Sequence, residues 1–219
     1  MRLTIGAVIF DMDGVITDTM PYHFKVWEDI FKNQGIAVTR EDVYKREGQK
    51  GIDSVREIFA EYGKMFNEDH AQALLKDKEE RFKLIFKRRF ISGSRRFLKR
   101  LKRQGFKLAL VTGTSQHEAV KLLPVNLFGL FDVSVCGCDV QNGKPHPEPY
   151  LKALAKLNIK PDCAVVIENA PFGIRSAKAA GLQCLALETS LPRSYLNNAD
   201  GIYSSFNDLS AKVKFIHNE

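Results

Sequence analysis

The sequence predicts a doubly wound parallel α/β sheet into which an all-helical segment is inserted. Short apolar runs rich in β-branched residues recur along the chain, as buried parallel strands do. Stretches with helical spacing of apolar residues separate these runs, which is the alternation typical of parallel α/β folds. One region, residues 17–90, breaks the alternation because its pattern is helical throughout.

Five apolar runs account for the predicted strands. They are residues 4–10, 107–112, 132–136, 163–168 and 183–188. Helices are predicted between them, over residues 94–104, 147–158 and 171–180. Gly105 and Gly181 stop two of these helices, while Pro147 and Pro171 suit a first helical turn. This order predicts a Rossmann-like core.

The inserted region contains three predicted helices. In the first, Phe24, Trp27 and Phe31 lie on one face and Gly35 ends the helix. The second covers about residues 52–62 and the third about 67–87. We therefore predict two domains: an α/β core of residues 1–16 and 91–219, and a helical cap of residues 17–90. An insert after the first strand lies beside the carboxyl ends of the strands, where open α/β sheets bind ligands.

Composition excludes several other classes of protein. With 219 residues, 44% hydrophobic and 27% charged, the chain is neither disordered nor collagen-like. No apolar run approaches the ~20 residues of a membrane span. The opening MRLTIGAVIF runs into Asp11 and Asp13 without a small-residue cleavage site, so we expect a cytoplasmic protein. Cys136 and Cys138 have no second pair that would complete a zinc site.

Positive charge is concentrated in one part of the chain. The net charge is +7, yet residues 76–107 contain 14 Lys and Arg against three acidic residues. Such a block can bind nucleic acid or a membrane surface, attract phosphorylated small molecules, or form a solvated helix face. We favour the solvated face for most of these residues, because no RNA-binding aromatic motif is interleaved with them.

Polar side chains follow four of the predicted strands, where each strand ends. They are Asp11 and Asp13; Thr112, Gly113 and Thr114; Lys144; and Glu168 with Asn169. Because parallel strands end at one edge of a sheet, these groups are expected to converge. Turn chemistry alone explains one such cluster, since Asp and Gly are common turn formers, but not four in register.

These residue types indicate phosphoryl transfer. Carboxylates with an Asn oxygen, and no His or Cys nearby, suit Mg²⁺ rather than zinc. A Lys, a Thr hydroxyl and backbone N–H groups suit phosphoryl oxygens. One Asp can act as a nucleophile that forms an acyl-phosphate, and a second can donate and recover a proton.

Other nucleotide-binding and hydrolase motifs do not fit. The stretch from Gly137 to Lys144 resembles a P-loop only faintly, with five residues between its glycines and Pro145 in place of Ser or Thr. The sequence contains no G-x-G-x-x-G, G-x-S-x-G or H-E-x-x-H.

Four segments in order resemble the haloacid dehalogenase superfamily, and within it the β-phosphoglucomutase-like phosphatases with a helical cap. They are FDMDGVITDT from Phe10, VTGTS from Val111, GKPHPEPY from Gly143 and VVIENAPFGIRSAKAAG from Val165. The resemblance covers nearly the whole chain. It implies that the chain acts on its own as a monomer, because these caps work within one polypeptide.

The resemblance also implies roles for the site residues. Asp11 would be the nucleophile and Asp13 the general acid and base. The transferring phosphoryl group would be bound by Thr112, Gly113 and Lys144. Mg²⁺ would be held by Asp11, the backbone carbonyl of Asp13, Glu168 and Asn169.

The fourth segment departs from the family pattern. Two acidic residues are usual there, whereas this sequence has Glu168 followed by Asn169. An Asn carbonyl coordinates Mg²⁺ without adding charge, so we expect weaker binding, or binding that depends more on Glu168. A catalytically weak relative is the alternative, although both aspartates and Lys144 are intact.

Three cap residues are candidates for substrate binding. By resemblance to the β-phosphoglucomutases, Thr19 and His23 would place the acid/base aspartate. His23 is otherwise an ordinary helix residue one turn from Trp27. Lys78 interrupts an apolar helical stripe, so it either extends outward along its stem or contacts something anionic. The resemblance favours the second for Lys78.

The sequence favours hydrolysis over mutase chemistry. Mutases hold a distal phosphate with a cap Arg, and the best-matching position here is Gly51, with Lys50 beside it. A Lys lacks the bidentate fork of Arg. We therefore expect a Mg²⁺-dependent phosphatase for a small phosphorylated metabolite of the sugar-phosphate type. The alternatives are a sugar phosphomutase, a nucleic-acid or anion binder, and a dehalogenase, for which neither Asp13 nor a metal site is needed.

Overall fold

A six-stranded parallel sheet forms the centre of the molecule, in the order β4-β3-β2-β5-β6-β7. The computed structural model describes residues 1–217. The strands of this sheet are β2 (Ala7–Phe10), β3 (Lys107–Val111), β4 (Val133–Val135), β5 (Ala164–Glu168), β6 (Gln183–Leu187) and β7 (Gly201–Tyr203). A second sheet pairs β1 (Arg2–Ile5) in parallel with β8 (Lys214–His217). The predicted doubly wound parallel fold is confirmed.

The two faces of the central sheet carry side chains of different size. Phe10, Leu110 and Ile167 belong to the larger core cluster, which also includes apolar side chains of the inserted helices. Ala109 and Val166 belong to the smaller cluster, under the helices after β4 and β5. Alternation along each strand places successive side chains on opposite faces, so the smaller side chains lie mostly on one face, with Ile9 as an exception.

Ten α-helices occur in the described part of the chain, besides three single-turn 3-10 helices. They are α1 (Met20–Asn33), α2 (Arg40–Tyr44), α3 (Gly51–Glu61), α4 (Glu68–Ile85), α5 (Ser94–Arg103), α6 (Gln116–Leu122), α7 (Val125–Phe128), α8 (Glu148–Leu157), α9 (Pro171–Ala179) and α10 (Phe206–Lys212). Of these, α1, α3, α4, α5, α8 and α9 match the predicted helices to within about three residues. None of the helices among residues 1–217 has the length and apolar character of a membrane span.

The helices α1–α4 form an insert between β2 and α5, which we call the helical insert. Its two ends lie side by side. The Asp18 amide donates to the Arg89 carbonyl at 3.0 Å, and the Ile91 amide donates to the Ile16 carbonyl at 3.0 Å. Because the chain leaves and re-enters the core at neighbouring points, the insert can lie over the edge of the sheet without interrupting the pairing of the strands. The division into core and cap domains at residues 16 and 90 stays a prediction.

The structure corrects the prediction of one strand over residues 4–10. The run is interrupted at Gly6, whose amide donates to Cys163 and whose carbonyl accepts from Lys107. The residues before Gly6 pair with β8 and those after it pair with β3 and β5. A continuous apolar run does not show which strand each half will meet.

The sequence did not predict several short elements, because three to seven residues carry little periodic signal. They are β7, β8, α2, α6, α7 and α10.

We expect Ala109→Leu to lower the free energy of unfolding by about 2 kcal/mol, because the longer side chain overpacks a face built for small residues. Ala109 is fully buried in the cluster that contains Tyr150 and Ala153 of α8. Urea unfolding measures the effect. Val120→Leu, at a half-exposed position on α6, is the control and should change stability by less than about 0.5 kcal/mol. Equal stability of both variants would contradict the assigned packing.

Candidate active site

The register of the central sheet brings the predicted polar residues together. Phe10 lies opposite Leu110 on β3 and Ile167 on β5. The residues that follow, Asp11 and Glu168, are therefore neighbours across the sheet edge. Parallel strands with a shared register end in one plane, so residues far apart in sequence become a single site.

Asp11, Lys144 and Glu168 form a buried ion cluster. Lys144 comes from the loop before α8, and its Nζ lies 2.6 Å from Asp11 Oδ1 and 2.7 Å from Glu168 Oε1. All three side chains are no more than 2% exposed. Lys144 Nζ also donates to the Val111 carbonyl at 3.3 Å. One ammonium group thus uses its three protons to join β2, β3 and β5.

Burial and mutual charge set the protonation of this cluster. Burial raises the pKa of Asp11 to about 8; Lys144 opposes the shift, whereas Glu168 and Asp13 add to it. Burial disfavours the charged form of Lys144, but the adjacent Asp11 and Glu168 outweigh it and raise the pKa of the lysine. Lys144 is therefore positively charged at physiological pH. A further cation placed beside Asp11 would lower the pKa of that carboxyl and favour its ionised form.

The carboxylate of Glu168 is fully hydrogen-bonded by the protein. Oε1 accepts from Lys144 at 2.7 Å and from the Tyr150 hydroxyl at 2.8 Å. Oε2 accepts from the backbone amides of Asn169 and Ala170 at 2.8 and 3.2 Å. A Cβ on Gly173 of α9 would lie 1.7 Å from Oε1, so only glycine leaves room for this carboxylate. Direct metal coordination by Glu168 stays a prediction, whereas its hydrogen bonds favour a role in holding Lys144.

Two buried oxygens at the site have no hydrogen-bond partner in the described part of the chain: Asp11 Oδ2 and Asn169 Oδ1. The Asn169 amide nitrogen lies 2.8 Å from Ser190 Oγ, which orients the side chain. Unpartnered buried oxygens are costly unless something binds them. A carboxylate and an amide oxygen fit a hard cation such as Mg²⁺. Within residues 1–217, no group of three or more His, Cys, Asp or Glu side chains is arranged around a metal position, so such a site would also use the Asp13 carbonyl and substrate oxygens.

Asp13 is surrounded by hydroxyl groups. Its Oδ1 accepts from the Thr19 hydroxyl of the helical insert. Its Oδ2 accepts from Thr114 at 3.2 Å and from Thr112 at 3.5 Å. Thr112 also accepts from the Thr114 amide at 3.1 Å, which ties the loop after β3 to this carboxylate. Thr112 thus contacts Asp13 directly, which the sequence did not indicate.

His23 and Lys78 of the helical insert complete the surroundings of Asp13. His23 Nε2 lies 3.5 Å from Asp13 Oδ1, without hydrogen-bond geometry, and its ring stacks on Phe82 at 4.5 Å. Lys78 Nζ lies 5.3 Å from the Phe82 ring centroid. Burial opposes ionisation of Asp13, but His23, the Thr19 hydroxyl and the charge of Lys78 outweigh it and lower the pKa of this carboxyl. Burial and Lys78 lower the pKa of His23, so its ring is neutral.

The loop between α2 and α3 brings the insert into contact with the core. Gly48 has a positive φ of 79°, and a Cβ there would lie 2.4 Å from Lys144 Cδ. Lys50 Nζ donates to the Gln141 carbonyl at 2.5 Å. A cavity of about 490 Å³ lies between this loop, α4 and the core loops after β3 and β4. The predicted residues His23, Lys78 and Gly113 line it.

Several residues of the site were not identified from the sequence. They are Glu47 and Gly48 in the insert, and Tyr150 and Ser190 in the core. Ser190 could have been predicted from the sequence, because it closely follows the apolar run of β6, as the other site residues follow the strands before them. Tyr150 lies within GKPHPEPY, but its position in the predicted helix is typical of an apolar core residue. Nothing in the pattern of the insert indicated Glu47.

The assembled site combines three chemical capacities. Asp11 offers a carboxyl group beside a buried cation, Lys144 offers positive charge for an anionic ligand, and Asp13 offers a second carboxyl group, next to the cavity-lining residues His23 and Thr114. The buried ion cluster organises the first two. This combination suits the transfer of a phosphoryl group.

We expect Lys144→Met to lower the free energy of unfolding by about 3–5 kcal/mol at about pH 9.5, because it leaves buried carboxylates without their cation. The pKa of Asp11, about 8 in wild type, rises further in the variant. Below this pKa Asp11 is protonated in both folded proteins, whereas above it only the variant continues to lose stability as pH rises, so the defect should be larger at about pH 9.5 than at about pH 7. Urea unfolding at both pH values, with the exposed Lys99→Met as control, measures it. A defect of equal size at the two pH values would contradict the assignment.

Comparison with known proteins identifies the family. The family model described as haloacid dehalogenase-like hydrolase matches residues 8–187. The chain is 36% identical over 182 residues to a phosphorylated carbohydrates phosphatase of Thermotoga maritima, covering 81% of this chain and 82% of that protein. It is 30% identical over 222 aligned positions to the β-phosphoglucomutase of Bacillus subtilis, covering 97% and 94%.

A solved structure of similar shape supports the same family. A putative β-phosphoglucomutase from Bacteroides vulgatus superposes with a TM-score of 0.86 at 34% identity, over 96% of this chain and 88% of that one. The family model covers more than half of the chain, and the strand-end residues lie within it. The chain therefore belongs to the haloacid dehalogenase-like hydrolases and is an enzyme of their phosphatase- and phosphomutase-like kind.

Proposed function

We propose that the protein is a Mg²⁺-dependent phosphatase that hydrolyses a small phosphorylated metabolite of the sugar-phosphate type through an aspartyl-phosphate. The observation that carries this proposal is the contact of Lys144 with Asp11 inside a buried site, next to two unpartnered oxygens. A nucleophile, a cation for the phosphoryl oxygens and oxygen ligands for a metal ion are the parts that phosphoryl transfer needs.

In the first half of the reaction, an Asp11 oxygen attacks phosphorus and the bond to the ester oxygen breaks. Asp13 gives the leaving oxygen its proton. The pKa of Asp13 is low in the free site, but a phosphate dianion bound beside it disfavours the carboxylate and raises this pKa. Lys144 balances the charge of the transferring group. Thr112 and the Gly113 amide are proposed to contact its oxygens.

In the second half, water attacks phosphorus of the aspartyl-phosphate and Asp13 accepts the proton of that water. The bond to Asp11 breaks and inorganic phosphate leaves. The Thr19 and Thr114 hydroxyls stabilise Asp13 as the anion in which it accepts this proton. The same carboxyl thus acts as acid and then as base.

The cation would be held by Asp11, the Asp13 main-chain carbonyl and Asn169. When bound, Mg²⁺ neutralises charge on the phosphoryl oxygens. Members of this family are generally Mg²⁺-dependent. The carboxylates and the amide oxygen of this chain fit the same ion, with Glu168 supporting the site from behind.

The cavity supports hydrolysis rather than mutase chemistry. A mutase must bind the second phosphate of a bisphosphorylated intermediate. Arg46, the arginine next to the cavity, is buried and bonded to Glu57 and Glu61. Lys50 is bonded to the Gln141 carbonyl. Neither of these two cations is free to clamp a distal phosphate, and the other cations that line the cavity, Lys76 and Lys78, lack the bidentate fork of arginine. The relative named as a phosphorylated carbohydrates phosphatase supports the same substrate class.

We expect wild-type protein with Mg²⁺ to release phosphate from p-nitrophenyl phosphate and from sugar phosphates, and Asp11→Asn to be at least about 10³-fold slower in kcat, because the amide is a poor nucleophile. Thermal unfolding of both proteins checks that the variant is folded. Equal rates of the two proteins would refute the nucleophile assignment.

Product analysis separates the two activities. With β-glucose 1-phosphate and a trace of the 1,6-bisphosphate, a phosphatase yields inorganic phosphate and glucose. Glucose 6-phosphate as the main product would support the mutase and contradict this proposal.

We expect Asn169→Asp to lower the Mg²⁺ concentration for half-maximal activity about tenfold, because it adds a negative charge to the ligand set. Asn169→Ala should raise that concentration, since it removes the unpartnered Oδ1 oxygen. Titration of phosphate release with MgCl₂ measures both. Identical Mg²⁺ dependence in all three proteins would show that residue 169 is not a ligand.

A further inference from the structure

One acidic side chain in the cavity serves neither the fold nor the proposed reaction. Glu47 lies in the loop between α2 and α3 and lines the cavity. It is half-buried. The charged groups that act on it are Asp13 and Asp11, which repel its carboxylate, and Lys78 and Lys144, which attract it. Glu47 therefore shares the cavity with His23 and Lys78 and lies close enough to the ion cluster to interact with its charges.

The fold gains nothing from this carboxyl group. Within residues 1–217, Glu47 makes no ion pair within 4.0 Å, and its side chain has no hydrogen-bond partner. The neighbouring Arg46, by contrast, is paired with Glu57 and Glu61 and donates to the Asp42 carbonyl at 2.7 Å. A half-buried acid without a partner costs stability. Burial and the charges of Asp13 and Asp11 raise the pKa of Glu47 well above its usual range, which expresses the same cost.

The backbone next to Glu47 fixes its depth in the site. Gly48 has φ of 79° and packs against the Lys144 side chain. Because Glu47 is the adjacent residue, it cannot withdraw from the core unless the loop moves. Glu47 thus lies in the cavity, one residue away from the point where the insert contacts Lys144.

The cavity beyond the ion cluster offers groups suited to hydroxyls. Gln49, Ser54 and Gln72 line it from the insert, and Ser115 lines it from the core. Amides, hydroxyls and a carboxyl both accept and donate hydrogen bonds, as a polyol requires. A second phosphate would instead meet the negative charge or the acidic proton of Glu47 without an arginine fork to hold it.

We infer that Glu47 binds a hydroxyl group of the leaving group, so that the enzyme selects phosphate monoesters of polyols and sugars with a hydroxyl near the ester carbon. This inference rests on the proposed phosphatase function. Glu47 is a specificity residue in this scheme: it accepts a hydrogen bond from the hydroxyl or donates one to it, and Asp13 alone exchanges the proton of the leaving oxygen.

Two matched substrate pairs test the inference: glycerol 3-phosphate with n-propyl phosphate, and β-glucose 1-phosphate with its 2-deoxy analogue. Within each pair the ester is of one type, an alkyl phosphate in the first and a glycosyl phosphate in the second, and hydroxyls near the ester are removed. A residue that served as general acid would affect both members, because both alkoxides need a proton. A residue that binds a hydroxyl affects only the hydroxylated member.

In at least one pair, wild-type protein should prefer the hydroxylated substrate in kcat/KM. Glu47→Ala should lower kcat/KM for that substrate about tenfold to a hundredfold, as expected for a hydrogen bond to a carboxyl group, and change it less than about twofold for the partner. Glu47→Gln, which keeps a donor and an acceptor, should recover part of the preference. Glu80→Gln, exposed on α4, is the matched control and should behave as wild type.

Stability provides a second readout. Because Glu47 has no partner, Glu47→Ala should unfold at the same temperature as wild type or higher, whereas a structural role predicts a loss. Equal losses on both members of each pair, or no wild-type preference in either pair, would overturn the inference. Failure of the proposed function would look different: p-nitrophenyl phosphate turnover would be absent, or equal in wild type and Asp11→Asn.

Discussion

The ammonium group of Lys144 is the constraint on which the site depends. Three charged side chains taken out of water are stable only if they satisfy one another, and Lys144 lies within 2.7 Å of both Asp11 and Glu168. This contact fixes the loop before α8 against the ends of β2 and β5. Asp11 and Glu168 share this one ammonium group, so a further cation beside Asp11 would lower the raised pKa of that carboxyl and favour its ionised form.

Polar groups at the sheet edge fall into two sets. Glu168 has four hydrogen-bond donors and no capacity to spare, so its role is to hold its neighbours. Asp11 Oδ2 and Asn169 Oδ1 are buried without partners. The hydrogen bonds of Glu168 hold the surroundings rigid. This rigidity prevents the two unpartnered oxygens from turning to other donors. Rigid support with open acceptors is the arrangement expected of a preorganised site.

The helical insert divides the chemistry of the enzyme in space. In the proposed reaction the core supplies the groups that act on phosphorus, whereas the insert places Thr19 and His23 beside Asp13 and lines the adjoining cavity. Contact through Gly48 makes the position of the insert sensitive to Lys144. Substrate choice can therefore vary with the insert while the phosphoryl site stays the same, and residues such as Glu47 can set that choice.

The sequence by itself determined the parallel α/β fold, the helical insert and the identity of Asp11, Asp13, Lys144 and Glu168 as neighbours. These followed because apolar periodicity is local, and because polar residues after parallel strands share one edge. Only the tertiary structure decided that residues 4–10 form two strands, that both Glu168 oxygens are hydrogen-bonded while Asn169 Oδ1 has no partner, and that Glu47 lines the cavity beside the ion cluster. Those features depend on which elements come into contact. Their hydrogen-bond partners come from distant loops, and such contacts produce no periodic pattern in the sequence.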